Sequence, residues 1–174
     1  MKFISEIETP RLLGRQMLPD DFGNMCQMNR NPQVMATLGG PRTDEETRVL
    51  FQANLDHFER HGYGLWILFS KPSSVVGESL FVGRCGLRNV FVGGHDEVEV
   101  GYALLPQFWN QGLATEIAQA SVNVAFNDLH LPELVSFTLP TNLASQRVME
   151  KCGFVFERNI IWHDLPHVFY RLKH

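Results

Sequence analysis

The stretch that most constrains this chain is "EVEVGYALLPQFWNQGLATEIAQA" (97–120), where strand-like alternation stops at a proline and helical spacing begins within a few residues. Val98, Val100, Tyr102 and Leu104 alternate with Glu99, Gly101 and Ala103, which predicts a strand with two unlike faces and Glu99 turned from the apolar one. Ile117, Ala120 and Val124 then share one face of a helix over about 112–127. A strand that runs straight into a helix leaves the helix's first N–H groups unpaired, at the positive end of its dipole. Gly112 has no side chain to block an approaching group, and the N–H groups of Leu113, Ala114 and Thr115 follow it, so a phosphate or pyrophosphate would fit. The other reading is a helix start whose glycine only relieves strain. The turn is neither a Walker loop, which needs Gly-Lys-Ser/Thr, nor a dinucleotide fingerprint, which needs three spaced glycines after a parallel strand.

The strand before the turn belongs to a meander. Three consecutive antiparallel strands are expected at about 63–69, 79–91 and 97–105, separated by the turn signals "SKPSS" (70–74) and "VGGHDE" (92–97). Earlier, "TPRLLGRQ" (9–16) reads as an edge strand, and Pro19, Asp20 and Asp21 open a short helix ending near Asn31-Pro32. Thr43 and Glu46 form a capping-box pattern ahead of Phe51, Leu55 and Phe58, predicting a helix over about 44–60 closed by His61-Gly62. After the central turn come a strand in "ELVSFTL" (133–139), a short helix in "NLASQRVMEKCG" (142–153), and closing strands at about 154–160 and 166–172.

Composition narrows the function classes. A chain of 174 residues fits one domain, residues 1–174, and no apolar run approaches the roughly 18 residues of a membrane span. A formal charge of −4 without a dense Lys/Arg cluster argues against a nucleic-acid partner. The opening "MKFISEIETPRLL" has no long apolar core, so a cytoplasmic location is expected, with no membrane partner. Cys26, Cys85 and Cys152 are an odd set with no close pair, expected to be reduced and structural. No histidine pair has zinc-ligand spacing with a cysteine or acid partner, so no metal is expected.

The combination of "TPRLLGRQ", "EVGYALLPQFWNQGLATEI" and "NLASQRVMEKCGF" resembles the GNAT superfamily of N-acetyltransferases over nearly the whole chain, and within it the branch of the ribosomal-protein N-terminal acetyltransferases. The resemblance implies an α/β (α+β) fold. Its mixed, mostly antiparallel sheet would have about seven strands and about four flanking helices, splayed between the fourth and fifth strands to admit acetyl-CoA. It also implies transfer of acetyl from acetyl-CoA to an amine by direct attack, on a protein N-terminus or a small molecule, by a monomer or homodimer. A non-enzymatic acyl-CoA sensor is the rival reading. The segments that would face the acceptor are 24–43, 60–66 and 160–167.

Direct attack sets three tasks: deprotonating the amine, stabilising the oxyanion and protonating the departing thiolate. By resemblance, the thioester carbonyl meets a backbone N–H in Ala103, Leu104 or Leu105, and the pyrophosphate meets Asn110, Gln111, Gly112, Leu113, Ala114 and Thr115. Asn110 stands where this branch often has glycine, which bears on coenzyme affinity. Glu99 is the candidate base, against a strand glutamate facing solvent. Ser145 resembles the serine that protonates the coenzyme sulfur, against a serine bonding its own backbone. Asn142 is the candidate ligand of the pantetheine arm and also a helix N-cap, two compatible roles. Cys152 lies on the apolar stripe and reads as a buried, inert thiol.

Overall fold

The structure is a computed structural model that describes residues 2–72 and 78–174, so the second half of the expected 70–74 turn lies outside the described residues. Eight strands form one sheet: β1 (Glu6–Glu8), β2 (Leu12–Gln16), β3 (Leu65–Ser70), β4 (Phe81–Val92), β5 (His95–Leu104), β6 (Glu133–Thr138), β7 (Val155–Trp162) and β8 (Leu165–Lys173). Their order is β1-β2-β3-β4-β5-β6-β8-β7, antiparallel except at β5–β6. The sheet is therefore the mixed, mostly antiparallel one expected, with one strand more. That strand, β1, precedes the expected 9–16 edge strand, which itself begins only at Leu12. Thr9 turns the chain there: its N–H donates to the Leu12 carbonyl at 3.0 Å, and its hydroxyl accepts from the Leu12 N–H at 3.0 Å.

Among the described residues five helices flank the sheet: α1 (Phe22–Arg30), α2 (Pro32–Met35), α3 (Asp44–His61), α4 (Leu113–Asn123) and α5 (Leu143–Lys151). The expected break at Asn31-Pro32 is also a new start. Asn31 accepts from the N–H groups of Gln33 and Val34, and Pro32, which lacks an N–H, begins α2. The Thr43–Glu46 capping box forms, and Gly62 closes α3 with φ 73°. Past Asn123 the helix relaxes into a π-type turn over Val124–Asp128, so the regular helix is shorter than the expected 112–127.

Period-two alternation sends the two faces of the meander to different cores. Trp66, Leu68, Cys85, Leu87, Val100 and Leu104 bury one face with Ile117 of α4 and Met149 of α5. Leu65 and Ile67 bury the other with Met25 and Met28 of α1, Met35 of α2 and Phe51 of α3. Glu99 belongs to this second face, which is covered by protein rather than water, and is only 6% exposed. At the far end of the sheet Arg171 joins Glu97, Glu133 and Glu157, with contacts of 2.5 to 2.7 Å, tying β5, β6, β7 and β8 together.

Strands β5 and β6 pair in register only at Glu99↔Val135. Beyond it the Ser136 hydroxyl donates to the Val100 carbonyl at 2.9 Å, replacing a ladder bond with a side-chain bond. The strands then part, and the C-terminal half of β5 shows an unpaired backbone edge to the gap. This is the splay expected between the fourth and fifth strands, one number later because β1 adds a strand.

Candidate active site

The antiparallel register decides which backbone groups reach the gap. Leu105 N–H donates to the Val82 carbonyl at 2.9 Å, so the alternation along β5 turns the N–H groups of Leu105 and Ala103 toward β4. Those of Tyr102 and Leu104 face the gap instead. Of the three candidates for the thioester carbonyl, Leu104 therefore offers the N–H, while Ala103 and Leu105 are committed to the sheet. The Leu104 carbonyl is already occupied, accepting from the Trp109 indole at 2.7 Å, which fixes the loop tip against the strand end.

A tight turn at Pro106–Phe108 then leads through Asn110, Gln111 and Gly112 into α4. Asn110 has φ 58° and Gly112 φ 77°, both left-handed. Asparagine tolerates that region better than most side chains, which explains how it stands where glycine is common. Gly112 is the N-cap of α4 with no side-chain cap, so the first N–H groups of Leu113, Ala114 and Thr115 lack a side-chain partner there.

Sequence reasoning missed the residue that anchors this loop. Arg11, at the β1–β2 turn, donates from Nη1 to the Gln111 carbonyl at 2.9 Å and pairs with Glu116 of α4 at 2.6 Å. Glu116 also accepts from the Thr9 hydroxyl at 2.7 Å. A Cβ on Gly112 would sit 3.6 Å from the Arg11 guanidinium, so a cation borders the N-terminus of α4. The signal was present in "TPRLL", where an arginine follows a turn proline, but its partner lies about a hundred residues away.

Across the gap, Asn142 caps α5 by accepting from the Ser145 N–H at 3.2 Å. Its amide donates to Thr138 Oγ1 at 3.0 Å and to Thr37 Oγ1 at 3.2 Å, which links α5 to the segment after α2. The N-cap reading of Asn142 holds. Both of its donors are occupied, so a pantetheine contact requires an exchange with one of the threonines. The Ser145 hydroxyl lies 3.0 Å from the hydroxyl of Tyr102, a partly buried phenol whose pKa is pushed up by desolvation. Strand alternation alone does not mark Tyr102 for this contact, since its partner lies 43 residues away.

Glu99 pairs with Arg88 of β4, across the ladder, at 2.5 Å. Both hydrogen bonds from Arg88 fall on Oε2, leaving Oε1 without a partner among the described residues. A Cβ on Gly101 would lie 3.8 Å from Oε1, so the carboxylate sits beside a position kept open by glycine. The solvent-facing reading of Glu99 does not match this burial. Cys152 is buried, and burial raises its thiol pKa to about 11, consistent with an inert thiol. Two surface clefts, one between β1 and α4 and one beside Gly153 and Val155, contain none of the candidate residues.

The site thus joins a parallel splay, a strand–loop–helix turn with no side-chain cap, and a second, capped helix across it. Comparison with known proteins gives the class. Residues 11–155 match the acetyltransferase (GNAT) domain family, and the chain belongs to that family. It is 29% identical over 170 residues to the uncharacterized protein YkkB of Bacillus subtilis (strain 168), covering 97% of this chain and 96% of that protein. It is also 30% identical over 130 residues to the FsC-acetyl coenzyme A-N(2)-transacetylase of Aspergillus fumigatus, covering 73% of this chain and 55% of that protein. Among solved structures, an acetyltransferase from Agrobacterium tumefaciens superposes with a TM-score of 0.83 at 26% identity, over 100% of this chain and 97% of that one. RimL, a ribosomal L7/L12 alpha-N-protein acetyltransferase solved with coenzyme A, shares the fold at 18% identity, with a TM-score of 0.75 and 97% of each chain covered. The chain is an acetyl-CoA-dependent acetyltransferase. No helix among the described residues is long and apolar enough to cross a membrane.

Proposed function

We propose that this enzyme moves the acetyl group of acetyl-CoA to a primary amine by direct attack, with Glu99 as base and Ser145 as acid. The observation that carries the reading is the placement of Glu99 Oε1 and Ser145 Oγ on either side of the open edge of β5. Pyrophosphate binds at Gly112 and the N–H groups after it, with Asn110 and Gln111 shaping the loop and Arg11 adding charge. Pantetheine runs along the gap past Asn142. The thioester carbonyl accepts from Leu104 N–H, the one donor of the Ala103–Leu105 stretch facing that way, which steadies the oxyanion.

The amine approaches from the Glu99 face and gives its proton to Oε1, directly or through one water. Arg88 holds the carboxylate in place through Oε2 while leaving the working oxygen free. The thiolate leaves on the α5 side and takes its proton from Ser145, whose hydroxyl is positioned by Tyr102; solvent then returns a proton to the serine and takes the one held by Glu99. The acceptor is a protein N-terminus or a small amine. The ribosomal-protein branch is supported by Trp109 in the loop and by the Asn142–Ser145 pair. The test is release of free coenzyme A thiol with a panel of N-terminal peptides and small amines, with acetyl addition confirmed by mass. Coenzyme binding without thiol release from any amine would overturn it.

A further inference from the structure

The acceptor face carries a cation that the chemistry above does not use. Arg84 of β4 stands directly across the ladder from Ala103, on the same face as Glu99 and two positions beyond Gly101. Its Nε is buried without a hydrogen-bond partner, and among the described residues no carboxylate pairs with its guanidinium. Glu99, the acid whose charge acts on Arg84, is bonded to Arg88, while Asp21 pairs with Arg15 at 2.7 Å and Asp44 with Arg30. Arg42, close enough for its charge to act on Arg84, donates to the Leu38 carbonyl at 2.8 Å and has no carboxylate partner among the described residues either. Burial and the neighbouring Arg88 lower the Arg84 pKa to about 10, so it remains a cation at neutral pH.

The charge of Glu99 acts on Arg84 but its carboxylate is bonded to Arg88, so the Arg84 guanidinium lacks a direct partner, and a bidentate carboxylate is the group its fork fits best. A polycationic acceptor would meet Arg42, Arg84 and Arg88 against the single negative charge of Glu99. Resting on the acetyl-transfer reading, we propose that the acceptor is an amine carrying a carboxylate a few bonds away, held by Arg84 while its amine faces Glu99. That chemistry has two sources: a free amino acid, or a peptide N-terminus with an acidic residue beside it.

The experiment compares matched pairs in the coenzyme A release assay: amino acids against their decarboxylated amines, and dipeptides with Asp or Glu second against Asn or Gln second. The carboxylate-bearing member is expected to have kcat/KM at least tenfold higher in one set, and that set names the source. Arg84→Gln should collapse the ratio through KM, and Arg84→Lys should restore part of it, with folding checked by circular dichroism. Equal rates within every pair, or a ratio untouched by Arg84→Gln, overturn the inference and leave acetyl transfer standing. If Arg84→Gln does not fold, the wild-type ratio and Arg84→Lys decide alone. Coenzyme binding with no turnover of any amine overturns the acetyl-transfer reading and the inference with it.

Discussion

The Tyr102 hydroxyl lies 3.0 Å from both the carbonyl oxygen and the Oγ of Ser145, joining the open edge of β5 to the first turn of α5. A phenol has one proton. If it goes to the carbonyl, Ser145 Oγ–H donates to Tyr102; once a thiolate appears, the serine can turn its proton toward sulfur. On the proposed mechanism the pair would be a local switch of hydrogen-bond direction beside the leaving group.

Ser145→Ala is therefore expected to lower kcat by about 10²- to 10⁴-fold with acetyl-CoA affinity little changed, the usual range for a positioned proton donor. Tyr102→Phe should cost less, about tenfold, because it removes orientation rather than the proton. Single-turnover kinetics on both variants decide the matter: a larger loss in Tyr102→Phe would make the phenol the donor.

Gly112→Asp puts a side chain and a negative charge at the proposed pyrophosphate site on the α4 N–H groups, at a φ of 77° that suits glycine. Wild-type protein should melt higher with acetyl-CoA by RT ln(1 + [L]/Kd), and the variant should lose that shift. A folded variant that binds normally would move the anion site elsewhere.

Arg11 offers a separate test of the same loop. It is half exposed, so its pair with Glu116 is worth about 1 kcal/mol at most, and Arg11→Met should change the melting temperature little. Its larger effect should be on the coenzyme, with Kd raised about tenfold as a cation and a loop anchor are lost together. Calorimetric titration at two salt concentrations checks it, since a charge contribution weakens as salt rises.

What the sequence disclosed and what it hid divide along one physical line. Gly112, Asn142 and the alternation of β5 were legible because turns, caps and strand periodicity are local. The extra strand was hidden because a Thr9 hydroxyl, not a glycine pair, makes the β1–β2 turn. Glu99 looked solvated because period two reports two faces and not what covers them; α1, α2 and α3 bury the second. Arg11, Arg84 and Arg88 were missed because their meaning rests on partners, or the lack of them, that only the folded register supplies.

His57 makes stability depend on pH. Its Nδ1 lies 3.0 Å from the Tyr63 carbonyl, and its Nε2 accepts from the Asn89 N–H at 3.0 Å, which fits a neutral ring with the proton on Nδ1. Burial first, then the charge of His61, lower its pKa in the folded state. The unfolded chain then binds more protons than the folded one below the ordinary value of about 6.5, so stability is full above that pH. It falls as pH drops through the folded pKa. Melting curves between pH 8 and 5 should show this loss, and His57→Gln should flatten it; an unchanged slope in the variant would assign the loss to other groups.

Glu99→Gln tests the proposed base. The amide keeps the shape and can still accept from Arg88, but it cannot take a proton from the amine at neutral pH. The fold should survive, since one neutral bond replaces a charged one beside a guanidinium that keeps partial contact with water. Turnover should fall most at low pH, where the acceptor amine is chiefly protonated and needs a base, and should recover in part as pH rises and solvent does that work. The recovery requires that chemistry, not product release, limits the rate, which a pre-steady-state burst measurement establishes. Arg88→Met supplies the contrast: it leaves the carboxylate in place without its anchor, so its loss should persist at high pH. A Glu99→Gln enzyme with the wild-type rate across the whole range would mean that the amine arrives already neutral, and the Arg88–Glu99 pair would then only join β4 to β5.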